Sequence, residues 1–354
     1  MMQNTSKHYA YMDFLRVLAC FLVIVNHTNS RVFQHSTPEE LTWFCSMAWY
    51  YVCKVAVPLF LMITGACLLP KQDSYRRTMG RFGRIVLVTV LFSYLYYVVD
   101  GFTRNRVWQQ ALAPMAFLRA VWAGSLSDGL WYLYFYAGLM LTLPLWQRMT
   151  ANMGKKDLLY LMGICFGAKA LWPLLEHYHS NWLLNGYFDV SVMSSLVGLL
   201  FAGHYVQRYV QPKRWHGWAC GAVIAACVAI QVWLTLREYA IVEPGEPYWF
   251  MDKRDAPGLF MLISAIAAMI WAKSAFDSAS ACASRLWQTL GGCAFGVYLL
   301  QDLLIAKTSY TLFPALCTRL NPFLAALVWE AAVFAAALPI AWALKKIPGL
   351  KKLL

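Results

Sequence analysis

The sequence predicts an all-α polytopic membrane protein, with about ten transmembrane helices and both termini cytoplasmic. Three observations carry that expectation. The 354 residues are 60% hydrophobic and only 13% charged, and the mean hydropathy is positive. Apolar runs recur along the chain at the ~20 residues a bilayer requires. The cations fall mostly in the short segments between those runs.

The spans follow in order. The first, 11–31, contains Asp13 and Arg16 and runs through an almost wholly apolar stretch to Asn26, His27 and Thr28. The second, 47–69, carries Lys54 and Pro58. Proline removes a backbone hydrogen bond, so a bend is expected there. An arginine-rich segment leads into the third, 84–101. The stretch 107–124 is apolar but short, bounded by Arg106 and Gly124, and is expected to lie at the interface or re-enter. The fourth, 129–149, opens on Trp131, Tyr132, Tyr134 and Tyr136, the composition of an aromatic belt. Spans 157–175, 187–209, 216–236 and 257–275 come next. The ninth, 287–307, holds Tyr298, Gln301 and Asp302, and the tenth is 321–343. Residues 1–354 read as one integral-membrane domain, without a clear tandem repeat or an appended soluble domain. The longest stretch between spans, 237–256, is rich in Glu, Pro and Asp.

Lys and Arg orient the chain. With the N-terminus inside, about 18 of the 30 lie in cytoplasmic segments and about 9 on the opposite side. Arg16, Lys54 and Lys169 fall inside spans. Most acids, among them Glu39, Glu40, Glu243 and Asp252, lie outside, and an even number of spans fits both termini inside. The net charge of +13 then needs no nucleic acid to explain it. Some of it can face an anionic small molecule. The N-terminus lacks the features of a cleavable signal peptide: Asp13 and Arg16 interrupt the apolar run, and no small-residue cleavage site follows. The ten cysteines are scattered, with no Cys-x-x-Cys pair, so no metal is expected and packing is their simplest role. No Gly-rich phosphate loop appears.

Several polar residues stand out against this background. Arg16 and His27 are eleven residues apart, about three helical turns. They therefore share a face, roughly 16 Å apart along the axis. Charged and titratable groups within spans are costly and mark functional sites by default. Asp13, three residues before Arg16, can pair with it. His27 is either a packing or water-lined histidine or a general base with a pKa near neutrality. Arg16 either snorkels to the inner interface or receives an anionic ligand. Arg77, Arg81 and Arg84 recur at i, i+4 and i+7, one face of a helix. That face is either a solvated positive-inside cluster or a phosphate site. Lys54 either reaches outer headgroups or lines a polar cavity at the depth of His27 and stabilises developing negative charge. Asp302 is a site candidate by the same burial cost as Arg16.

Arg16-x10-His27 resembles the Arg-x10-His signature of the membrane-bound acyltransferase-3 family. Further stretches match in order. Val57-Pro-Leu-Phe60-Leu-Met-Ile-Thr64-Gly65 resembles the family's Val-Pro-Leu-Phe-Phe-x-Ile-Ser-Gly, and Lys54 fits the basic residue common before it. Arg81-Phe-Gly-Arg84 resembles its Arg-x-x-Arg motif, and Leu130-Trp131-Tyr132-Leu133 its Leu-Trp-Phe-Leu segment. The resemblance runs from about residue 9 to 343. It departs at Gly296-Val-Tyr298-Leu-Leu-Gln301, where the family often ends on His. Gln301 or Asp302 then substitutes only as a hydrogen-bonding group.

The resemblance implies transfer of an acyl group, usually acetyl and sometimes succinyl, from acyl-CoA to a sugar hydroxyl of a cell-envelope glycan or glycolipid. With no fused hydrolase-like domain, the chain is similar to the stand-alone type that modifies surface polysaccharides at the bacterial cytoplasmic (inner) membrane. On this reading acetyl-CoA is the donor co-substrate, its phosphates near Arg77, Arg81 and Arg84 and its arm passing Arg16. His27 is the base and Lys54 the oxyanion stabiliser. Asp13, Asn26, Trp131, Tyr132, Tyr298, Gln301 and Asp302 line the substrate path, and the acceptor approaches along Trp131, Tyr132 and the 237–256 loop. The rival is a transporter or flippase for an anionic or sugar-linked lipid, in which Arg16, Lys54 and Asp302 line a pathway. The absence of a convincing inverted repeat counts against it.

Overall fold

The computed structural model describes residues 9–35, 40–103, 113–178, 194–213, 215–239, 258–276 and 280–353. Among these residues every regular element is helical. The expected 237–256 loop lies outside them from residue 240 onward.

Fourteen α-helices are described. They are α1 Ala10–His35, α2 Leu41–Cys53, α3 Ala56–Leu68, α4 Tyr75–Thr103, α5 Pro114–Ala123, α6 Trp131–Ala151 and α7 Lys155–Phe166. Then come α8 Trp172–Tyr178, α9 Ser195–Tyr209, α10 His216–Tyr239, α11 Gly258–Ala275, α12 Ala281–Thr308, α13 Leu312–Cys317 and α14 Pro322–Leu344. Starts are set by local chemistry. The side chains of Ser194, Ser280 and Asn321 accept from Val197, Ala283 and Leu324 N–H groups that no helical carbonyl can reach.

Among the described residues, eight segments are long and apolar enough to cross a membrane. They correspond to eight of the ten expected spans: the first three, 157–175, and the last four. Expected spans 129–149 and 187–209 appear as α6 and α9, which fall outside that set. The 21 residues of α6 include Thr142, Gln147, Arg148 and several Trp and Tyr, which lower its hydropathy. Only 15 residues of α9 are described. The ten-residue α5 is too short to span, at about 15 Å.

Two expected helices are interrupted. The 47–69 span is two helices separated at Lys54–Val55, four residues before the proline that causes the break. Pro58 has no N–H for the Lys54 carbonyl and its ring crowds that oxygen. Pairing resumes with Leu59 N–H on Val55 at 2.9 Å. The 157–175 span passes through a π-turn at Gly167–Leu171 before continuing as α8.

Helix α1 is the axis of the bundle. It packs against α2, α3, α11, α12 and α14. Leu15, Ala19, Cys20, Ile24 and Val25 are fully buried in these contacts. Helices α3 and α9 approach most closely through glycine. A Cβ at Gly65 would strike the Leu200 backbone, and one at Gly203 the Met62 backbone. Such small-residue contacts let helices pack without a water-driven hydrophobic force.

Candidate active site

Two cavities lie along α1. The first, of 290 Å³, surrounds His27 and Asn26 and is closed by Lys54, Trp131, Tyr132 and Tyr298. His27 is half-buried. Lys54 is the C-cap of α2, so the break places it on this wall, with its ammonium 4.1 Å from the centre of the Tyr50 ring. Tyr132 packs edge-on to Tyr298 at 6.1 Å and stacks on Tyr136 at 5.7 Å.

Helix α12 contributes Tyr298 to the wall of this cavity. The Tyr298 hydroxyl donates to the Gly129 carbonyl, and Asp302, one turn on, accepts the Gly129 N–H at 2.7 Å. Asp302 also accepts from the Ser127 hydroxyl. Gly129 belongs to the 3₁₀ turn Asp128–Leu130, which delivers Trp131 and Tyr132 at the start of α6. Asp302 lines neither cavity; its carboxylate orders a turn that does. Gln301 is fully buried and its amide makes no hydrogen bond among the described residues.

The second cavity, of 850 Å³, lies at the other end of the same helix. Arg16, Lys71, Arg208, Asp13, His204 and Gln207 line it. Arg16 pairs with Asp13, as the i, i+3 spacing predicts, and its other nitrogen lies 3.7 Å from the Cys67 sulfur. The α3 helix lines both chambers, through Phe60 in the first and Cys67 in the second.

Arg77, Arg81 and Arg84 are found outside both cavities. Arg81 and Arg77 reach the buried Asp73 carboxylate at 2.5 and 3.2 Å. Gln147 donates to the same carboxylate at 3.0 Å and accepts the Asp73 N–H at 3.2 Å. Burial pulls the Asp73 carboxyl upward, but the Arg81 and Gln147 hydrogen bonds and both arginine charges outweigh it and hold it below the usual carboxylate range. Arg84 donates twice to the Leu353 carbonyl, at 3.0 and 2.9 Å. The first two thus brace the turn carrying Lys71 and Gln72, which do line the Arg16 cavity.

The profile of the acyltransferase-3 family, described as an acyltransferase domain, matches residues 9–346. The chain belongs to the acyltransferase-3 family. No curated protein and no solved structure gives a match. It is a multi-pass membrane acyltransferase.

Two buried groups of this acyltransferase escape the sequence reading. Glu330, wholly buried in α14, accepts from the Thr28 hydroxyl at 3.0 Å and the Trp49 indole at 3.2 Å. It therefore ties α14 to the residue beside His27 and to α2. A lone carboxylate within the expected span 321–343 carries the same burial cost that singles out Arg16, and that signal finds it. His204 stands on α9 within the expected span 187–209 and faces the Arg16 cavity, where the same argument applies. Among the described residues, no three His, Cys, Asp or Glu side chains are grouped as metal ligands would be.

Proposed function

We propose that the protein is a transmembrane O-acyltransferase, carrying an acyl group, acetyl by family precedent, from cytoplasmic acyl-CoA to a hydroxyl of an extracytoplasmic cell-envelope glycan or glycolipid. The observation that supports this most is the pair of cavities on one helix, at residues eleven apart, one rich in cations and the other lined by both an imidazole and a lysine. A donor with an anionic head and a long arm fits the Arg16 cavity with its head and reaches the His27 cavity with its thioester. The reading adopts ten crossings with both termini cytoplasmic, in the bacterial inner membrane, so that the Arg16 cavity opens inward.

In the reaction, Nε2 or Nδ1 of His27 takes the proton of the acceptor hydroxyl as its oxygen attacks the thioester carbonyl carbon. A C–O bond forms and the carbonyl becomes an oxyanion facing Lys54. Collapse breaks the C–S bond, and the imidazolium returns its proton to the CoA thiolate. Asn26, Trp131, Tyr132 and Tyr298 shape the acceptor side. Arg16, partly neutralised by Asp13, holds the donor at the inner end, and Arg77 and Arg81 support it through the Asp73 turn.

The test uses purified protein in lipid nanodiscs with radiolabelled acetyl-CoA. Wild type is expected to bind and slowly release CoA to water or added sugar. His27→Ala should bind without turnover, and Arg16→Ala should lose binding. A wild type that neither binds nor consumes acetyl-CoA or succinyl-CoA would overturn the reading in favour of a carrier.

A further inference from the structure

We propose that the groove between the first half of α12 and the end of α14 holds the phosphodiester headgroup of an anionic phospholipid, gripped by Lys345, Lys346 and Lys351. The groove is separate from both cavities along α1, and the inference stands whether or not acyl-CoA is the donor.

A cavity of 450 Å³ opens there, with Lys345, Lys346, Lys351, Gln288 and Trp342 on its walls. Among the described residues no Asp or Glu lines it. Glycines build it. A Cβ at Gly296 would strike the Ala341 side chain, so α12 and α14 touch at that level. One turn earlier Gly292 has no side chain, and the Lys345 ammonium donates to its carbonyl at 2.6 Å. The Lys346 ammonium sits 3.9 Å from the centre of the Trp342 ring. Lys351 comes from the 3₁₀ turn Leu350–Lys352, which the Arg84 bonds to the Leu353 carbonyl tie to α4. Gly291, beside Gly292, abuts Asp13 of α1, so the groove lies at the Arg16 end of the bundle.

The chemistry of these walls selects the ligand. Three lysines after a span are ordinary, but three that converge on one cavity without a lining carboxylate repel one another. An anion between them relieves that repulsion. A phosphodiester accepts several N–H bonds, and Lys345 keeps two of its three donors after serving Gly292. Trp342 favours a lipid over a soluble phosphate. Its indole is 52% exposed in the last turn of a spanning helix, the level at which tryptophans meet headgroups. A lipid sets its phosphate on the lysines and its chains beside that indole, whereas a soluble anion has no use for it. Basic pockets between spanning helices recognise anionic headgroups in this way.

The experiment titrates the full chain in detergent micelles with dioleoylphosphatidylglycerol or dioleoylphosphatidylcholine and counts retained lipid by native mass spectrometry. Wild type should hold the anionic lipid roughly tenfold more tightly or better. Lys346→Gln with Lys351→Gln should weaken it about twentyfold, at about fivefold per lysine. Lys346→Arg with Lys351→Arg keeps both charges and should bind like wild type. Lys155→Gln with Lys156→Gln removes two exposed charges outside this cavity and should change binding by less than about twofold. Glycerol 3-phosphate, a headgroup without chains, and CoA should displace the lipid only at far higher concentrations. Equal retention of the two lipids, or equal loss in the two glutamine pairs, overturns the site. Loss in the arginine pair as large as in its glutamine counterpart assigns the effect to packing and overturns the charge argument. Displacement by glycerol 3-phosphate or CoA at concentrations comparable to the lipid's makes the groove a soluble-phosphate site and overturns the lipid assignment.

Discussion

Tyr298 and Asp302, one helical turn apart on α12, hold the same residue: one donates to the Gly129 carbonyl and the other accepts its N–H. The turn that opens α6 is thereby hung from α12, and Trp131 and Tyr132 reach the His27 cavity because of it. Asp302→Ala leaves the Gly129 N–H and Ser127 hydroxyl without their acceptor. The expected loss is about 1–3 kcal/mol, read as a lower thermal midpoint. Tyr298→Phe keeps the ring on the cavity wall and should cost less, about 1 kcal/mol. Thermal unfolding of both variants, with turnover measured alongside, checks the order.

Glu330 joins three helices beside His27. Glu330→Leu removes the acceptor of both the Thr28 hydroxyl and the Trp49 indole. Glu330→Gln retains one acceptor. Turnover is expected to fall at least tenfold in the leucine variant and less in the glutamine one, with donor binding unchanged in both. Equal donor-dependent loss in the two variants would assign the effect to charge rather than to placement of Thr28.

Asp73 predicts an acid limb. Its carboxyl is held below its ordinary value in the folded protein. Its stabilising contribution is therefore complete above the unfolded pKa of about 3.9 and is lost as pH falls through the lower folded value. Thermal stability should drop below about pH 4. Asp73→Asn should lower stability at neutral pH and flatten that limb, since Arg77 and Arg81 lose their carboxylate. A pH series of thermal midpoints on the two proteins decides it.

Helical periodicity and burial cost made much of this architecture legible. Asp13 and Arg16 pair as their spacing requires, and Arg16 and His27 each open onto a cavity. The same periodicity puts Arg77 and Arg81 on one face but is silent on whether a carboxylate already occupies it. Asp73, at i−4 and i−8, does. Burial cost marks Asp302, whereas its partner Gly129 lies 173 residues away, a pairing that only the fold creates. Pro58 signals a distortion in the second span, and its consequence appears at the i−4 carbonyl, on Lys54 itself.

That displacement makes Lys54 testable apart from its charge. Pro58→Ala restores an N–H for the Lys54 carbonyl and removes the ring that crowds it, so α2 and α3 should join into a straighter helix. Lys54 would then leave the position in which it caps α2 and faces the His27 cavity. Lys54→Met removes the ammonium and keeps the break. If the ammonium stabilises the oxyanion, Lys54→Met should lower kcat by about 10²-fold, in the range for lost oxyanion stabilisation, with little change in KM. Pro58→Ala should lower kcat in the same direction through geometry alone, and combining the two should add little. Additive losses would mean that the break serves the cavity's shape and not the placement of Lys54.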